Sequence, residues 1–334
     1  MLSTLTVISA LHDAEPDIAE FFERLESLQL PGLQFVLIDD ASTDGTWAAL
    51  QAFAARDPRV TALHNEVNTG VGGARNRALA ASTTDYIWFV DHDDEWFAHS
   101  PHTLLKAAEE TGADLVAARA EYRHNPSVPG RIVDGVDERR ILTRAELIDL
   151  MLAGRVHGFL WSKLIRRTSL GVDPFPSLTS QSDFVGLTRA VARTTAAVVI
   201  PDVVYRYLRR PGSLTRVRSP RLGNVAAARD AMHELIAETS TPVDAELLDY
   251  FDMWFYAVAA AFTPLRWNAP AAVCDEGITR AREASTGVPV RSLWRRSRST
   301  ALHIAVLRHA PLLYRRGLPV VLRLKDWMRD ARTS

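Results

Sequence analysis

Asp91, Asp93 and Asp94 fall within four positions of one another in the stretch YIWFVDHDDEWF, directly after the apolar run Tyr86–Val90. Carboxylates crowded in this way repel one another unless something positive sits among them. Hard cations such as Mg2+ or Mn2+ take carboxylate oxygens and complete their shells with substrate phosphates. A D-x-D at the end of a buried strand therefore points to a metal held for a diphosphate; exposed acids on a surface turn are the plainer alternative. Two further stretches accompany it. In VLIDDASTDGT (Val36–Thr46), Asp40 stands where it can accept hydrogen bonds from a nucleobase imide or a ribose, while Ser42 and Asp44 suit the cap of the next helix. In NTGVGGARNRAL (Asn68–Leu79), glycines permit close backbone approach, and a helix N-terminus with Arg75 nearby suits a phosphate.

These residues need elements to hold them. Hydrophobic spacing predicts strands at Leu5–Leu11, Phe35–Ile38, Val60–Leu63 and Tyr86–Val90. Helices are predicted between them, at Asp17–Leu28, Thr46–Ala55 and Gly72–Ala81. This alternation means βαβ units and a mostly parallel sheet, whose ligands bind beyond the carboxyl ends of the strands. Both acidic clusters lie at such ends. Further on, Leu104–Thr111 and Thr143–Ala153 read as helices, Asp114–Arg119 as a strand and the Pro- and Gly-bearing stretch Tyr122–Asp137 as a loop. Leu247, Phe251, Trp254, Val258 and Phe262 then share one helical face, and no strand pattern follows Pro211-Gly212. The expected organisation is an α/β domain at residues 1–222 and a helical region at 223–334.

Length and composition set the outer bounds. At 334 residues, 47% hydrophobic and 24% charged, the chain has the make-up of an ordinary globular protein. A net charge of −1 argues against nucleic acid as a partner. One cysteine, Cys274, excludes an internal disulfide framework and a cysteine-rich zinc site, and fits a reducing compartment. The N-terminal stretch carries no basic leader, and the longest apolar run, Met253–Phe262, is too short to span a bilayer, so a cytoplasmic location is expected. Charge is uneven. From Arg291 to Ser334, ten Arg and one Lys stand against Asp326 and Asp330, a net +9 that leaves −10 on the remainder. Such a tail either faces an anionic partner, including peripheral contact with the inner face of a membrane, or packs or dimerises on acidic protein surface.

Taken together and in order, IDDASTDGT, NTGVGGARNRAL and FVDHDDEW resemble the inverting family 2 glycosyltransferases with the GT-A fold, a Rossmann-like, mostly parallel sheet. VISALHDAEPDI at the start resembles the family's first strand and turn, with Asp13 in place of the usual Asn. HGFLWSKLIRRTSL, SQSDF and YRYLRRPGSLT resemble its acceptor-side segments, so the likeness covers residues 3 to 216. The resemblance implies a nucleoside diphosphate sugar donor, with uridine the expected base. It also implies a Mg2+ or Mn2+ cofactor and a glycan, cell-wall polymer or lipid-linked acceptor. Ala10, His12 and Asp40 match positions that hold base and ribose. Arg75 matches an arginine near the diphosphate. Asp91 and Asp93 match the metal-binding D-x-D, and Asp94 a position that orients ribose or sugar. Asp183 matches the general base, with Ser182 where the family usually has Glu. Trp161 is a candidate sugar-stacking surface. Lys163, Arg209 and Arg210 are candidates for diphosphate or an anionic acceptor, and His157 reads as structural.

Two rival readings remain. GVGGAR imitates part of a dinucleotide fingerprint and would make the chain an NAD(P)-dependent oxidoreductase, but its glycines follow the third strand rather than the first. The missing Glu beside Asp183 would suit a non-catalytic binding protein on a transferase fold.

Overall fold

The computed structural model describes residues 3–123, 130–208 and 221–330. The chain divides into two compact units, Met1–Pro211 with Ala231–Pro242, and Gly212–Asp230 with Val243–Ser334. The first begins with strict alternation: β1 (Leu5–Leu11), α1 (Ile18–Glu26), β2 (Leu33–Asp39), α2 (Thr46–Arg56), β3 (Val60–His64), α3 (Gly70–Ala80) and β4 (Tyr86–Phe89). It continues through β5 (Glu95–Trp96), α4 (Ser100–Thr111), β6 (Leu115–Arg123), β7 (Arg131–Val133), β8 (Arg140–Thr143) and α5 (Arg144–Leu152). The last elements are β9 (Lys163–Arg166), α6 (Arg167–Leu170), α7 (Ser182–Ala192) and β10 (Ala196–Leu208).

One sheet runs in the order β3-β2-β1-β4-β9-β6-β10-β5, with β7 beside β6 and β8 beside β10. β1 to β4 are mutually parallel, and β9 lies antiparallel between β4 and β6. The strands β1, β2 and β4 are buried almost throughout, as their unbroken apolar runs require in a sheet covered on both faces. Register decides where the acids go. Leu11 lies opposite Asp39, Asp39 opposite His64, and Ile8 opposite Phe89. His12, Asp40 and Asn65, each directly after its strand, and Asp91, two residues after β4, therefore emerge along one rim. α1 covers the sheet because Ile18, Phe21, Phe22 and Leu25 recur at helical spacing. α5 starts at a capping box in which Thr143 and Glu146 satisfy each other's exposed backbone N–H groups.

The stretch expected as a loop, Tyr122–Asp137, corrects the sequence reading. Its beginning extends β6 to Arg123 and its end supplies β7, which pairs antiparallel with β6. The pairing is long-range, so local Pro and Gly content conceals it. The same stretch supplies a buried ion pair. Asp134, in the left-handed region at φ 64°, accepts hydrogen bonds from Lys163 Nζ (2.9 Å), Ser162 Oγ (2.9 Å) and the His157 backbone N–H (2.6 Å), and pairs with His157 Nδ1 (2.7 Å). Lys163 is 0% exposed. It was a candidate for meeting diphosphate or acceptor; its ammonium is instead spent holding β9 to the turn after β7.

The second unit contains α9 (Ala245–Phe251), a π-helical turn at Asp252–Ala257, α10 (Val258–Arg266), α11 (Ala271–Ala284), α12 (Val290–Arg296), α13 (Arg298–His309) and α14 (Pro311–Asp330). The helix before α9, α8 (Leu222–Glu238), starts in its residue range and ends in that of the first unit. No strand follows β10 among the described residues, as the absence of any period-2 pattern there predicts. Its core gathers Met253, Ala257, Ile278, Leu293, Ile304, Leu307 and Tyr314. Gly277 lets α11 pass so close to α10 that a β-carbon there would lie 2.2 Å from the Ala260 carbonyl oxygen.

Burial alone would raise the Asp134 carboxyl, but Lys163 and His157 outweigh it and bring it from 3.8 down to about 2. A depressed native pKa adds stability that is complete above the unfolded value and is lost as pH falls through about 2. Replacing Lys163 by Met leaves Asp134 buried without its main counter-charge. We expect Lys163→Met to lower unfolding free energy by about 3–5 kcal/mol in urea titrations at neutral pH, and to move acid unfolding to higher pH.

Candidate active site

The rim above β1, β2 and β4 is built by cross-bracing between turns. Asp13, at φ 48°, accepts from the Thr43 backbone N–H (2.8 Å), and its own N–H donates to Ser42 Oγ (2.9 Å). Ser42 thus bonds the neighbouring turn rather than capping a helix. Asp44 does bond the start of α2, accepting from the Thr46 N–H at 3.0 Å. Asp40 is buried, and its Oδ1 accepts from Asn65 Nδ2 (2.7 Å), Thr69 N–H (2.9 Å) and Thr69 Oγ1 (2.9 Å). That oxygen shapes the turn entering α3; among the described residues Oδ2 takes no donor. Ala10 lies on β1 beside Ile38. His12 follows β1, half-exposed, with Nδ1 3.0 Å from the Asp40 backbone carbonyl oxygen.

Arg75, on α3, joins the two halves of the candidate site. Its guanidinium is buried and donates from Nη1 to Asp183 Oδ1 (2.5 Å) and from Nη2 to Asp91 Oδ1 (3.0 Å). Asp183 is the second residue of α7, and Asp91 comes two residues after β4. The two carboxylates keep 32% and 35% of their side-chain surface open to solvent. Burial opposes the charge on Arg75, but the two carboxylates overcome it and raise its pKa. Burial also pushes the Asp183 carboxyl up; Arg75 opposes that and the negative charge of Asp91 adds to it.

The glycine run was expected to admit a phosphate. Gly72 instead makes room for protein. A β-carbon there would lie 2.6 Å from the Pro176 carbonyl oxygen and 2.7 Å from Ser182 Oγ. Gly72 sits one turn before Arg75, and Ser182 immediately precedes Asp183. Close packing of α3 on the start of α7 is thus what brings guanidinium and carboxylate together. Ser182, standing where the resemblance leads one to expect Glu, is buried in that contact.

The acidic turn separates its three aspartates by role. Asp93 is half-buried and, among the described residues, makes no hydrogen bond or ion pair. Asp94 is buried. Its Oδ2 accepts from the Tyr205 hydroxyl (3.0 Å) and its Oδ1 from the Leu208 backbone N–H (2.9 Å). Burial, together with the charges of Asp91 and Asp93, raises its pKa well above the usual carboxylate range. Asp94 was expected to orient ribose or sugar; both oxygens are instead committed to β10. Tyr205, missed in the sequence, is the hub. Its hydroxyl accepts the Asp91 N–H (3.0 Å) as well as donating to Asp94. Arg24 adds a second positive group, donating to the His92 carbonyl oxygen at 2.8 Å.

Trp161 also differs from expectation. It is 4% exposed and stacked between Phe159 (4.7 Å between ring centroids) and Tyr205 (5.0 Å), so neither face is open to a sugar. It packs behind the acidic turn. Arg209 and Arg210 lie outside the described residues. No group of three or more His, Cys, Asp or Glu is placed to hold a metal among the described residues. The oxygen-only donors Asp91 and Asp93 suit a hard cation whose other ligands come from a diphosphate.

A mixed sheet, parallel through β3-β2-β1-β4 and with carboxylates along the rim of those strands, belongs to the GT-A class of α/β folds. Solved structures agree. S. aureus TarS 1-349 in complex with UDP-GlcNAc superposes with a TM-score of 0.66 at 18% identity, covering 94% of this chain and 92% of that one. Mannosyltransferase PcManGT from Pyrobaculum calidifontis, in complex with GDP-Man and Mn2+, gives 0.51 at 18% identity over 93% and 88%. The profile described as Glycosyl transferase family 2 matches residues 6–170, and the chain belongs to that family. A curated relative, the uncharacterized glycosyltransferase EpsJ of Bacillus subtilis (strain 168), is 24% identical over 225 residues. That match spans 65% of this chain and 64% of EpsJ, just under two-thirds of the relative's length.

Removing the Tyr205 hydroxyl leaves the Asp91 N–H without its acceptor and Asp94 Oδ2 without its donor. Tyr205→Phe is expected to cost about 1–3 kcal/mol in chemical denaturation and to weaken protection by uridine diphosphate with Mn2+ in thermal-shift titrations.

Proposed function

We propose that this protein is a metal-dependent, inverting glycosyltransferase that moves a sugar from a nucleoside diphosphate donor, with uridine as the base, to a glycan, cell-wall polymer or lipid-linked acceptor. Family membership supports the reaction class. One observation carries the assignment of roles: Arg75 ties Asp91, on the metal side, to Asp183, on the acceptor side, through a single guanidinium.

In this reading Asp183 takes the proton of the acceptor hydroxyl as its oxygen bonds to the anomeric carbon. The bond from that carbon to the diphosphate breaks, and its electron pair leaves on the diphosphate oxygen. Attack from the face opposite the leaving group inverts the centre. A base works best with a pKa near the working pH, and the raised pKa of Asp183 moves it in that direction. Arg75 fixes the Asp183 carboxylate, the task for which a neighbouring Glu is absent, and sets positive charge beside Asp91 where the diphosphate departs. Asp91 and Asp93 would hold Mg2+ or Mn2+, which supplies Lewis-acid stabilisation of the leaving diphosphate. Asp40 Oδ2 and His12 are the candidate base and ribose contacts on the rim. The enzyme would work at the inner face of the membrane as a peripheral protein, where lipid-linked acceptors are held.

Two substitutions separate the roles. Asp183→Asn should lower transfer by at least about a hundredfold while uridine diphosphate with Mn2+ still raises Tm; transfer near the wild-type rate removes Asp183 as base. Asp93→Asn should abolish both turnover and the Mn2+-dependent part of that protection. Because burial raises the Asp183 pKa, the acid limb of kcat against pH should lie above the range of an ordinary aspartate, and activity is lost as pH falls through it.

A further inference from the structure

The basic end of the chain forms α14, whose inward face is fixed. Tyr314 is buried in the helical core with its hydroxyl 2.7 Å from His303 Nδ1. Leu318, one turn on, packs on the same core, and Arg315 pairs with Asp275. That anchoring fixes the helix's rotation and determines what it presents outward. Leu313, Val320 and Leu324, seven and four residues apart, share one stripe of an α-helix, and are 66%, 53% and 54% exposed. Arg316 and Arg323, also seven apart and exposed, form the adjoining stripe. Neither arginine makes an ion pair among the described residues, and residues 311–324 contain no acid. No helix of the described residues is long and apolar enough to cross a membrane.

We infer that this outward face of α14 lies on an anionic lipid bilayer, with Leu313, Val320 and Leu324 entering the headgroup–acyl boundary and Arg316 and Arg323 reaching lipid phosphates. A row of apolar side chains beside a row of arginines that make no ion pair among the described residues is what an interfacial helix needs. Long arginine stems let the charge stay among the headgroups while the leucines go deeper. A second copy fits less well: antiparallel two-fold packing of this face on itself brings each Arg row against its own like charges. The inference extends the proposed working place and rests on that reading, so binding and donor chemistry are to be read separately.

The test is co-flotation of the full-length protein with vesicles of phosphatidylcholine alone, or of phosphatidylcholine with phosphatidylglycerol. Wild type should float with the anionic vesicles, release with rising salt, and stay behind with the neutral ones. The double variant Leu313→Glu with Val320→Glu should lose binding. Arg316→Gln with Arg323→Gln should weaken it by about thirtyfold, from about 1 kcal/mol for each charge near the surface. All these positions are exposed, so Tm and donor hydrolysis should stay at wild-type values. Wild type that ignores anionic vesicles overturns the proposal, as does binding unchanged in both double variants. A dimer in light scattering that Leu313→Glu with Val320→Glu converts to monomer assigns the face to a second copy instead. Loss of donor hydrolysis in wild type bears on the proposed activity and leaves the vesicle result standing.

Discussion

A guanidinium removed from water survives only when its charge is answered at close range. Arg75 meets that condition with Asp91 on one side and Asp183 on the other, and much of the first unit can be read as what this requires. α3 must approach the start of α7, so Gly72 has no side chain to give and Ser182 none larger than a hydroxyl. β4 must end where α3 begins to cover the sheet, which the 3-2-1-4 order of parallel strands provides. Two negative groups and one positive group leave a net negative site, suited to a divalent cation but too poor in donors to close around one without a diphosphate.

The acidic turn shows a division of labour that the D-x-D pattern does not reveal. Asp91 is tied to Arg75, Asp93 has no partner among the described residues, and Asp94 is turned inward to Tyr205 and the Leu208 backbone. Three neighbouring acids thus answer to three different environments. The inward one makes the turn rigid, and the aromatic column Phe159–Trp161–Tyr205 backs it with close-packed rings. Rigidity behind the proposed cation site matters because a metal bound by mobile carboxylates must first order them.

The parallel core was legible in the sequence because each of β1 to β4 is a short apolar run ending in polar residues, and because α1 repeats its phenylalanines and leucines at helical spacing. Asp91, Asp93, Arg75 and Asp183 were legible as candidates through residue type, position at strand or helix ends, and resemblance. What stayed hidden was pairing across long separations. Lys163 looked like a cation for diphosphate or acceptor, yet Asp134, 29 residues earlier, takes its charge. Asp94 looked like a ligand contact until residues more than a hundred positions later supplied both of its partners. Trp161 offered a ring, but its faces were already taken by Phe159 and Tyr205. Strand β7 has only three residues and draws its identity from β6. None of these facts has a local signature.

The place of β10 has a consequence for how the chain is made. This thirteen-residue strand is the last of the sheet, yet it lies between β6 and β5 and also receives β8. During synthesis, β6 emerges some eighty residues before its parallel neighbour and waits with one edge unpaired. A nascent polypeptide halted short of residue 208 carries an incomplete layer, open to the wrong partner. Ribosome-bound intermediates of this length are where chaperones would find the most to hold.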